Sequence, residues 1–267
     1  MNDKEFGNVI VRYEPDEKLG TLVCSYFKGS TFDKRQRQSA MVLEDPNSLY
    51  LWYAKACMSF RLFVTNPKKI LIIGLGSGTL TKYLYKEFPK AKIDSVDIDA
   101  GMIQACKESF FVPHNKRSNL IEADGSVFVK ECKTGTYDAV FLDGFGAGHQ
   151  DDSTLIQCLN NEDFYNHTKR ILKPTGVVVS NLLLQKNAVY ALIQKCFSKR
   201  TYRINQMYQG NNIVLAFKNP HIWFRNDLDT LSESLMVESE PNKINYPLFL
   251  KAIIRNGGRH TDKRFIV

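Results

Sequence analysis

The chain has 267 residues, of which 43% are hydrophobic, and a formal net charge of +8 at pH 7. This size and composition allow one large α/β domain with smaller accessory parts, and they exclude a mainly disordered chain. No apolar run approaches the ~20 residues of a membrane-spanning helix. The start, Met1 to Glu5, is charged and lacks the apolar centre of a signal peptide. The sequence therefore predicts a cytoplasmic protein without a membrane partner.

Cysteines and charge give two further expectations. The six cysteines are scattered and form no C-x-x-C pair, so the sequence predicts neither a disulfide framework nor a metal site. The basic charge is compatible with a nucleic-acid partner. However, the basic clusters are not interleaved with aromatic residues in a recognisable binding motif, so no motif supports such a partner.

The first part of the chain is predicted to be a β-rich module over residues 1–47. The runs "NVIVRYE", "GTLVCSYF" and "QSAMVLE" are strand-like and are separated by polar, turn-like stretches. Asp45-Pro46-Asn47 ends the module. The long apolar stretch 48–64, with Ser48 as a possible cap, predicts a helix that packs on the next domain.

The next predicted domain covers residues 48–219. From Lys68 onward, its sequence alternates between strand and helix patterns. Five strand–helix units predict a parallel, doubly wound sheet with helices on both faces. The runs "TYRINQMY" and "NNIVLAF", joined by Gln209-Gly210-Asn211, predict a hairpin, so the last strand should enter the sheet antiparallel. The predicted α/β fold is a seven-stranded, mostly parallel sheet of the Rossmann-like kind, followed by a helical, basic extension over 220–267. This pattern resembles the class I S-adenosylmethionine-dependent transferases.

A glycine loop, "GLGSGT", directly follows the first buried strand "KILII". A dinucleotide fingerprint would need a glycine at Thr79, and a phosphate-binding P-loop would need a lysine, so both are disfavoured. The remaining G-x-G-x-G pattern lets a ligand lie against the backbone at a helix N-terminus, although a tight turn without a ligand is the alternative. The loop residues predicted to bind a cofactor are Gly74, Gly76, Ser77 and Gly78.

Two acids follow at the ends of the next two strands. Asp97, with Ile98 after it, stands where an acid can accept both ribose hydroxyls. Asp124, followed by Gly125, can accept the exocyclic amine of adenine, or it can cap the next helix, and both roles can coexist. Polar groups at successive strand ends mark one crevice of an open α/β sheet. The sequence therefore predicts an adenosyl group with a short charged tail and no pyrophosphate.

The sequence resembles the spermidine synthase family of aminopropyltransferases over roughly residues 8–218, and in particular its divergent spermidine-synthase-like branch. The segments that carry the resemblance are "YAKACM", "LIIGLGSG", "VDID", "ADG", "YDAVFLD" and "FYNHTKRILKPTGVVV". The resemblance implies transfer of an aminopropyl group from decarboxylated S-adenosylmethionine to a small amine acceptor, and a homodimer. It also implies that Asp143 is the base that deprotonates the attacking amine and that Tyr53 binds the substrate.

The chain departs from the family's pattern at positions that contact the substrates. Ser77 replaces the loop acid that holds the cofactor's amine, Ala54 and Lys55 replace Gln-Glu, and Gly146 replaces a second acid after the fourth strand. A neutral Ser77 removes the repulsion that an acid would exert on the carboxylate of intact S-adenosylmethionine. Three hypotheses therefore stay open: aminopropyl transfer, methyl transfer from S-adenosylmethionine on the same scaffold, and a cofactor-binding homologue without catalysis. A fourth, nucleic-acid modification, rests only on the basic charge.

Overall fold

The computed structural model describes ten ranges of the chain, which contain three β-sheets of four, seven and three strands. The described residues are 3–28, 37–144, 159–182, 186–198, 200–205, 210–219, 222–239, 242–255, 260–261 and 264–266. Gly146, one of the departures from the family's pattern, lies outside them.

The N-terminal sheet is antiparallel, with the strand order β1-β2-β3-β4. Its strands are β1 (Lys4–Phe6), β2 (Val9–Asp16), β3 (Gly20–Phe27) and β4 (Ser39–Val42). The three strand-like runs of the sequence form β2 to β4, whereas β1 was not predicted because three residues are too few to show an alternating pattern. Val11, Val23 and Met41 pack with Met102 and Cys106 of the central domain, so this sheet covers part of that domain.

The apolar stretch predicted as one helix over 48–64 forms a shorter helix and a 3₁₀ turn. Helix α1 spans Trp52–Cys57, and a 3₁₀ helix follows over Met58–Leu62. The predicted cap is wrong, because the Ser48 hydroxyl donates to the Asp45 carbonyl in the preceding turn. Almost every side chain from position 54 to position 63 is buried. A segment that is buried all round has no polar face, so its pattern could not distinguish the two helix types.

The central sheet confirms the predicted α/β architecture, with the strand order β10-β11-β9-β8-β5-β6-β7. Its strands are β5 (Lys69–Ile73), β6 (Lys92–Asp97), β7 (Ser118–Glu122), β8 (Tyr137–Leu142), β9 (Leu172–Leu182), β10 (Thr201–Asn205) and β11 (Asn212–Phe217). Strand β11 pairs antiparallel with both β9 and β10, as the hairpin pattern predicted, while the other neighbours are parallel.

Helices cover both faces of this sheet. They are α2 (Thr79–Glu87), α3 (Ala100–Glu108), α4 (Gly125–Glu131), α5 (Glu162–Ile171) and α6 (Lys186–Cys196). Leu84 of α2 packs with Ile72 of β5 in one core cluster, and Phe164 of α5 packs with Leu71 of β5 in another. Adjacent residues of β5 thus face opposite layers, which explains why this strand reads as a continuous apolar run.

The C-terminal part contains the expected helices, α7 (Arg225–Glu238) and α8 (Tyr246–Arg255), and adds a small sheet that was not predicted. This sheet consists of β12 (Ile222–Phe224), β13 (His260–Thr261) and β14 (Arg264–Ile266). Leu228, Phe249 and Ile253 belong to the same buried cluster as Tyr202 and Phe217 of the central sheet. Among the described helices, none combines the length and the apolar character needed to cross a membrane.

Candidate active site

The carboxyl ends of four adjacent strands form one crevice. The ends of β5, β6, β7 and β8, together with the residues just after them, contribute Gly74, Asp97, Asp124 and Asp143 to the lining of a single pocket. Parallel neighbours in a sheet bring their carboxyl ends to the same edge, so the strand order places these residues side by side. The N-terminal sheet adds Phe27 of β3, which also lines the pocket.

Gly74 allows the glycine loop to pass close to Asp143. Its φ is +92°, and a methyl group on its Cα would lie 2.5 Å from the Asp143 carbonyl oxygen. The Asp143 N–H donates to the Ile73 carbonyl at 2.8 Å, which fixes the two strand ends together. A side chain at Gly74 would therefore separate the loop from the strand that carries Asp143.

The rest of the loop divides between the pocket and the N-terminal sheet. Gly76 lines the pocket, and Gly78 (φ +66°) begins α2 against Val112. Ser77 is buried, and its hydroxyl contacts the Ala40 carbonyl of β4 at 3.2 Å and the Thr79 hydroxyl at 2.8 Å. The Ser77 side chain thus faces β4, and neither it nor Gly78 is among the described residues that line the pocket.

The Asp97 carboxylate hydrogen-bonds to the backbone of the glycine loop and also lines the pocket. Its Oδ2 accepts from the Leu75 N–H at 2.8 Å, and its Oδ1 accepts from the Asp99 N–H at 3.0 Å. Burial raises the pKa of Asp97, and the charge of Asp99 adds to this effect. Since each carboxylate oxygen has two lone pairs, both oxygens keep the capacity to accept a ligand hydroxyl.

Asp124 caps helix α4. Its Oδ1 accepts from the Ser126 N–H at 2.7 Å, the Ser126 hydroxyl at 2.6 Å and the Val127 N–H at 3.2 Å. Partial burial alone would raise the pKa of Asp124, but these hydrogen bonds outweigh it and lower the pKa. All of these bonds use Oδ1, so Oδ2 is the oxygen available to a ligand. A methyl group on the next residue, Gly125, would lie 2.6 Å from Ile73 Cγ2, so a larger residue there would force Ile73 to shift.

An apolar wall completes the pocket. Ile98 is 57% exposed, which is high for a large apolar side chain, and it lines the pocket together with Leu159 and Met102. A flat apolar ligand part, such as a purine ring, would cover the Ile98 side chain.

Asp143 is half-buried and accepts hydrogen bonds from two side chains. Its Oδ1 accepts from Asn181 Nδ2 at 2.8 Å, and its carboxylate also bonds with the Tyr53 hydroxyl of α1. Burial raises the pKa of Asp143 to about 6, although both hydrogen bonds act in the opposite direction. Burial and the charge of Asp143 raise the pKa of Tyr53, which therefore keeps its proton and donates. Asp143 is a carboxylate at neutral pH, with a pKa suited to taking up a proton.

Sequence reasoning missed Asn181, which lies at the carboxyl end of β9. The signal was present, because an asparagine ends the apolar run "GVVVS" at the edge of the sheet where the acids lie.

Tyr165, a further aromatic residue of α5, is buried in the core and donates to Asn160 Oδ1 at 3.1 Å. Within the described ranges, no group of three His, Cys, Asp or Glu residues is placed to hold a metal ion.

Comparison with known proteins supports the resemblance seen in the sequence. A model of the spermine/spermidine synthase domain matches residues 53–209. A polyamine aminopropyltransferase of Chromobacterium violaceum is 34% identical over 185 residues, which cover 68% of this chain and 69% of that protein. An eEF1A lysine and N-terminal methyltransferase homolog of Drosophila pseudoobscura is 31% identical over 147 residues, 49% of this chain and 21% of that protein.

Solved structures share the fold. A probable spermidine synthase from Corynebacterium glutamicum matches with a TM-score of 0.71 at 19% identity, over 97% of this chain and 96% of that chain. Human methyltransferase-like protein 13 in complex with SAH matches with a TM-score of 0.54 at 22% identity, over 79% of this chain and 92% of that chain. The sheet is thus of the class I methyltransferase-like type, as predicted. From its matching domain and its Chromobacterium relative, this chain belongs to the spermine/spermidine synthase family.

Proposed function

We propose that the protein transfers an aminopropyl group from decarboxylated S-adenosylmethionine to a small amine, with Asp143 as the base. The observation that carries this proposal is the position of Asp143. It lies half-buried beside the glycine loop, and two neutral donors, Tyr53 and Asn181, hold its carboxylate. The name of the Chromobacterium relative supports the same reaction.

The residues of the crevice fit an adenosyl cofactor. Gly74 and Gly76 line the pocket without side chains. In the proposed complex Asp97 would accept from the ribose hydroxyls, and Asp124 Oδ2 would accept from the adenine amine. Ile98 supplies the apolar wall for the base. No phosphate-binding lysine lies in the loop, which agrees with a ligand that has no pyrophosphate.

Asp143 acts on the acceptor amine. An ammonium has no lone pair, so it must lose a proton before or during its attack. When bound, the cofactor supplies a carbon next to its sulfonium, and the C–S electron pair leaves with the neutral thioether. Asp143 takes the proton that the amine nitrogen loses as the new C–N bond forms. Tyr53 and Asn181 keep the carboxylate oriented, and Tyr53 also lies at the position that the resemblance assigns to substrate binding.

Methyl transfer from intact S-adenosylmethionine is the second candidate. The observation that favours it is Ser77, which is neutral and directs its hydroxyl to the Ala40 carbonyl. The loop therefore presents no side-chain carboxylate that would repel the carboxylate of the intact cofactor. The name of the Drosophila relative is also that of a methyltransferase.

Binding and product analysis together test these candidates. The protein is titrated by calorimetry with decarboxylated and with intact S-adenosylmethionine, and each mixture is then incubated with a panel of diamines. We expect preference for the decarboxylated form and release of methylthioadenosine. Preference for the intact form with release of S-adenosylhomocysteine would establish methyl transfer instead. Binding without either product would indicate a cofactor-binding homologue without catalysis, and binding of neither form would refute the cofactor site.

An Asp143→Asn variant tests the base directly. It should bind the cofactor like the unchanged protein and lose transfer by about 10²- to 10⁴-fold, the range for general base catalysis. Unchanged transfer in this variant would remove Asp143 from the reaction.

The homodimer implied by the resemblance stays a prediction. Light scattering on the purified protein measures its mass in solution, and a mass of one chain at micromolar concentration would contradict it.

A further inference from the structure

A chain of two amide hydrogen bonds leads from Asp143 to the hairpin that closes the sheet. Asn181 is 5% exposed and donates through Nδ2 to Asp143 Oδ1 at 2.8 Å. Its Oδ1 accepts from Asn211 Nδ2 at 2.9 Å. Asn211 directly precedes β11, whose residue Ile213 is paired with Asn181 in the sheet. The three polar side chains thus connect the ends of β8, β9 and β11.

The direction of these hydrogen bonds matters because an amide side chain donates through its NH₂ group and accepts through its carbonyl oxygen. A carboxylate can only accept hydrogen bonds, whereas a carboxylic acid also donates one. Asn181 stabilises the carboxylate when its NH₂ group faces Asp143, and it would stabilise the acid if it turned its carbonyl there. The NH₂ group of Asn211 can bond only to the carbonyl of Asn181. With the NH₂ group of Asn211 facing Asn181, as it does in this structure, the bond favours the orientation in which Asn181 donates to Asp143.

We propose that Asn211 is a positioning residue for Asp143, because it holds the Asn181 amide in the orientation that favours the carboxylate over the acid. Asn211 does not line the pocket among the described residues, so it acts through Asn181. The inference deepens the proposed function, and it gives the β10–β11 hairpin a part in setting the proton affinity of the base.

The other groups around Asp143 do not depend on Asn211. Tyr53 and Cys57 face Asp143 from α1, and burial raises the pKa of both, so they stay protonated. Asp97 and Asp124 line the same pocket from the ends of β6 and β7. Asn181 is the neighbour from β9 that Asn211 contacts. A substitution at Asn211 therefore changes only the hydrogen bond that Asp143 accepts from Asn181, and it leaves the other neighbours of Asp143 in place.

The test follows the titration of the Asp143 carboxyl carbon by NMR in protein labelled with ¹³C at the aspartate side chains. The Asp143→Asn variant assigns the signal. Asn181→Leu removes the donor and should raise the midpoint by about one pH unit, the range for a hydrogen bond to a charged group. Asn211→Leu should raise it by about half as much, because it frees the amide to turn without removing it. Asn219→Leu, which lies just beyond the far end of β11, is the matched control and should leave the midpoint unchanged.

Asn211→Asp provides a second, nearly isosteric variant. A carboxylate at this position would accept from the Asn181 NH₂ group and turn the Asn181 carbonyl toward Asp143. It should raise the midpoint more than Asn211→Leu does. A midpoint of Asn211→Leu equal to that of the unchanged protein would overturn the proposal, because the added charge of Asn211→Asp raises the midpoint by repulsion whichever way the Asn181 amide faces.

Activity separates this inference from the proposed function. If the protein transfers a group, the acidic limb of its kcat/KM profile should move with the NMR midpoint in every variant. If no transfer is found with any acceptor, the proposed function fails, while the NMR midpoints still decide the role of Asn211.

Discussion

Asp143 combines a proposed chemical role with a cost to stability. Its pKa rises from 3.8 to about 6 because the folded protein buries the carboxylate. Between these values the folded state binds more protons than the unfolded state, so the free energy of unfolding falls as pH rises through this window. Below it both states are protonated and the cost is absent, and above pH 6 the cost reaches about 3 kcal/mol.

Asp143→Asn should therefore stabilise the protein in a pH-dependent way. We expect the free energy of unfolding to rise by about 2 to 3 kcal/mol at pH 7.5 and to change little at pH 4. Urea unfolding at both pH values measures the difference. An equal loss of stability at both pH values would show that the amide disrupts the contacts with Tyr53 and Asn181 and that ionisation carries no penalty.

Gly74 allows a second prediction, with a matched control in the same chain. Gly74→Ala combines an unfavourable φ of +92° with a methyl group 2.5 Å from the Asp143 carbonyl oxygen, and these atoms belong to backbone that cannot turn away. Gly135 also has a positive φ, +68°, but a methyl group there meets nothing within 4 Å. Gly135→Ala should cost only the left-handed conformation, about 1 to 2 kcal/mol.

Gly74→Ala should cost at least about 2 kcal/mol more than Gly135→Ala and should also weaken cofactor binding. Urea unfolding compares the two variants, and calorimetry with the better-binding cofactor measures affinity. Equal costs for both would mean that the contact between Gly74 and Asp143 relaxes without strain.

At the level of single residues, the sequence located the acids and missed their partners. Asp97, Asp124 and Asp143 could be found because each ends or follows a strand, and strand ends meet at one edge of a parallel sheet. The orientation of Ser77 toward Ala40 could not be found, because it depends on where the N-terminal sheet packs. The same holds for Asn211, whose contact with Asn181 exists only once the hairpin joins the sheet.

Among the elements, α2 carries an unusual buried lysine. Lys82 is 1% exposed, and its Nζ donates to the Phe110 carbonyl at 2.9 Å and contacts Met41 of β4. Burial lowers the pKa of Lys82 to about 7, against a small opposing effect of Cys106. Between about pH 7 and 10.5 the unfolded state binds more protons than the folded state, so this residue makes stability rise with pH.

Lys82→Met should flatten this dependence. The methionine keeps most of the apolar stem and removes the charge, so it should stabilise the protein at pH 7 by up to about 4 kcal/mol and by much less near pH 10. Urea unfolding at pH 7, 8.5 and 10 gives the slope for both proteins. Parallel slopes would show that Lys82 keeps an ordinary pKa in the folded protein.

The elements that the sequence predicted best are those with a clear period. Strands β5 to β8 and helices α2 to α6 lie where the alternating strand and helix patterns place them, and the hairpin of β10 and β11 follows from its turn residues. Strand β9 begins at Leu172, ahead of the predicted strand that starts at Gly176. The prediction was wrong for the extent of the helix over 48–64, whose second half is almost entirely buried, and it missed β1. In both cases the structure depends on packing against the central domain. A periodic pattern of apolar residues in the sequence does not determine it.

For the whole molecule, the main question is whether residues 220–267 form a separate unit, as the predicted domain boundary suggests. Arg61 of the 3₁₀ helix pairs with Glu87 of α2 at 2.8 Å and with Glu238 of α7 at 3.3 Å. Phe249 of α8 is 3% exposed, and its ring meets that of Trp52 edge to face at 5.9 Å. Since these contacts join the C-terminal helices to the central core, the two parts should unfold together.

Phe249→Ala tests this coupling. Removing a buried aromatic ring should lower the free energy of unfolding by about 3 to 5 kcal/mol, and it should shift one single transition without splitting it. Calorimetry gives the number of transitions, and far-UV circular dichroism should follow the same curve. Leu248→Ala, at a neighbouring position that is 52% exposed, is the control and should change stability by less than about 1 kcal/mol. An early, separate transition in the Phe249 variant would instead make the C-terminal part an independent unit, because its loss would then leave the central sheet folded.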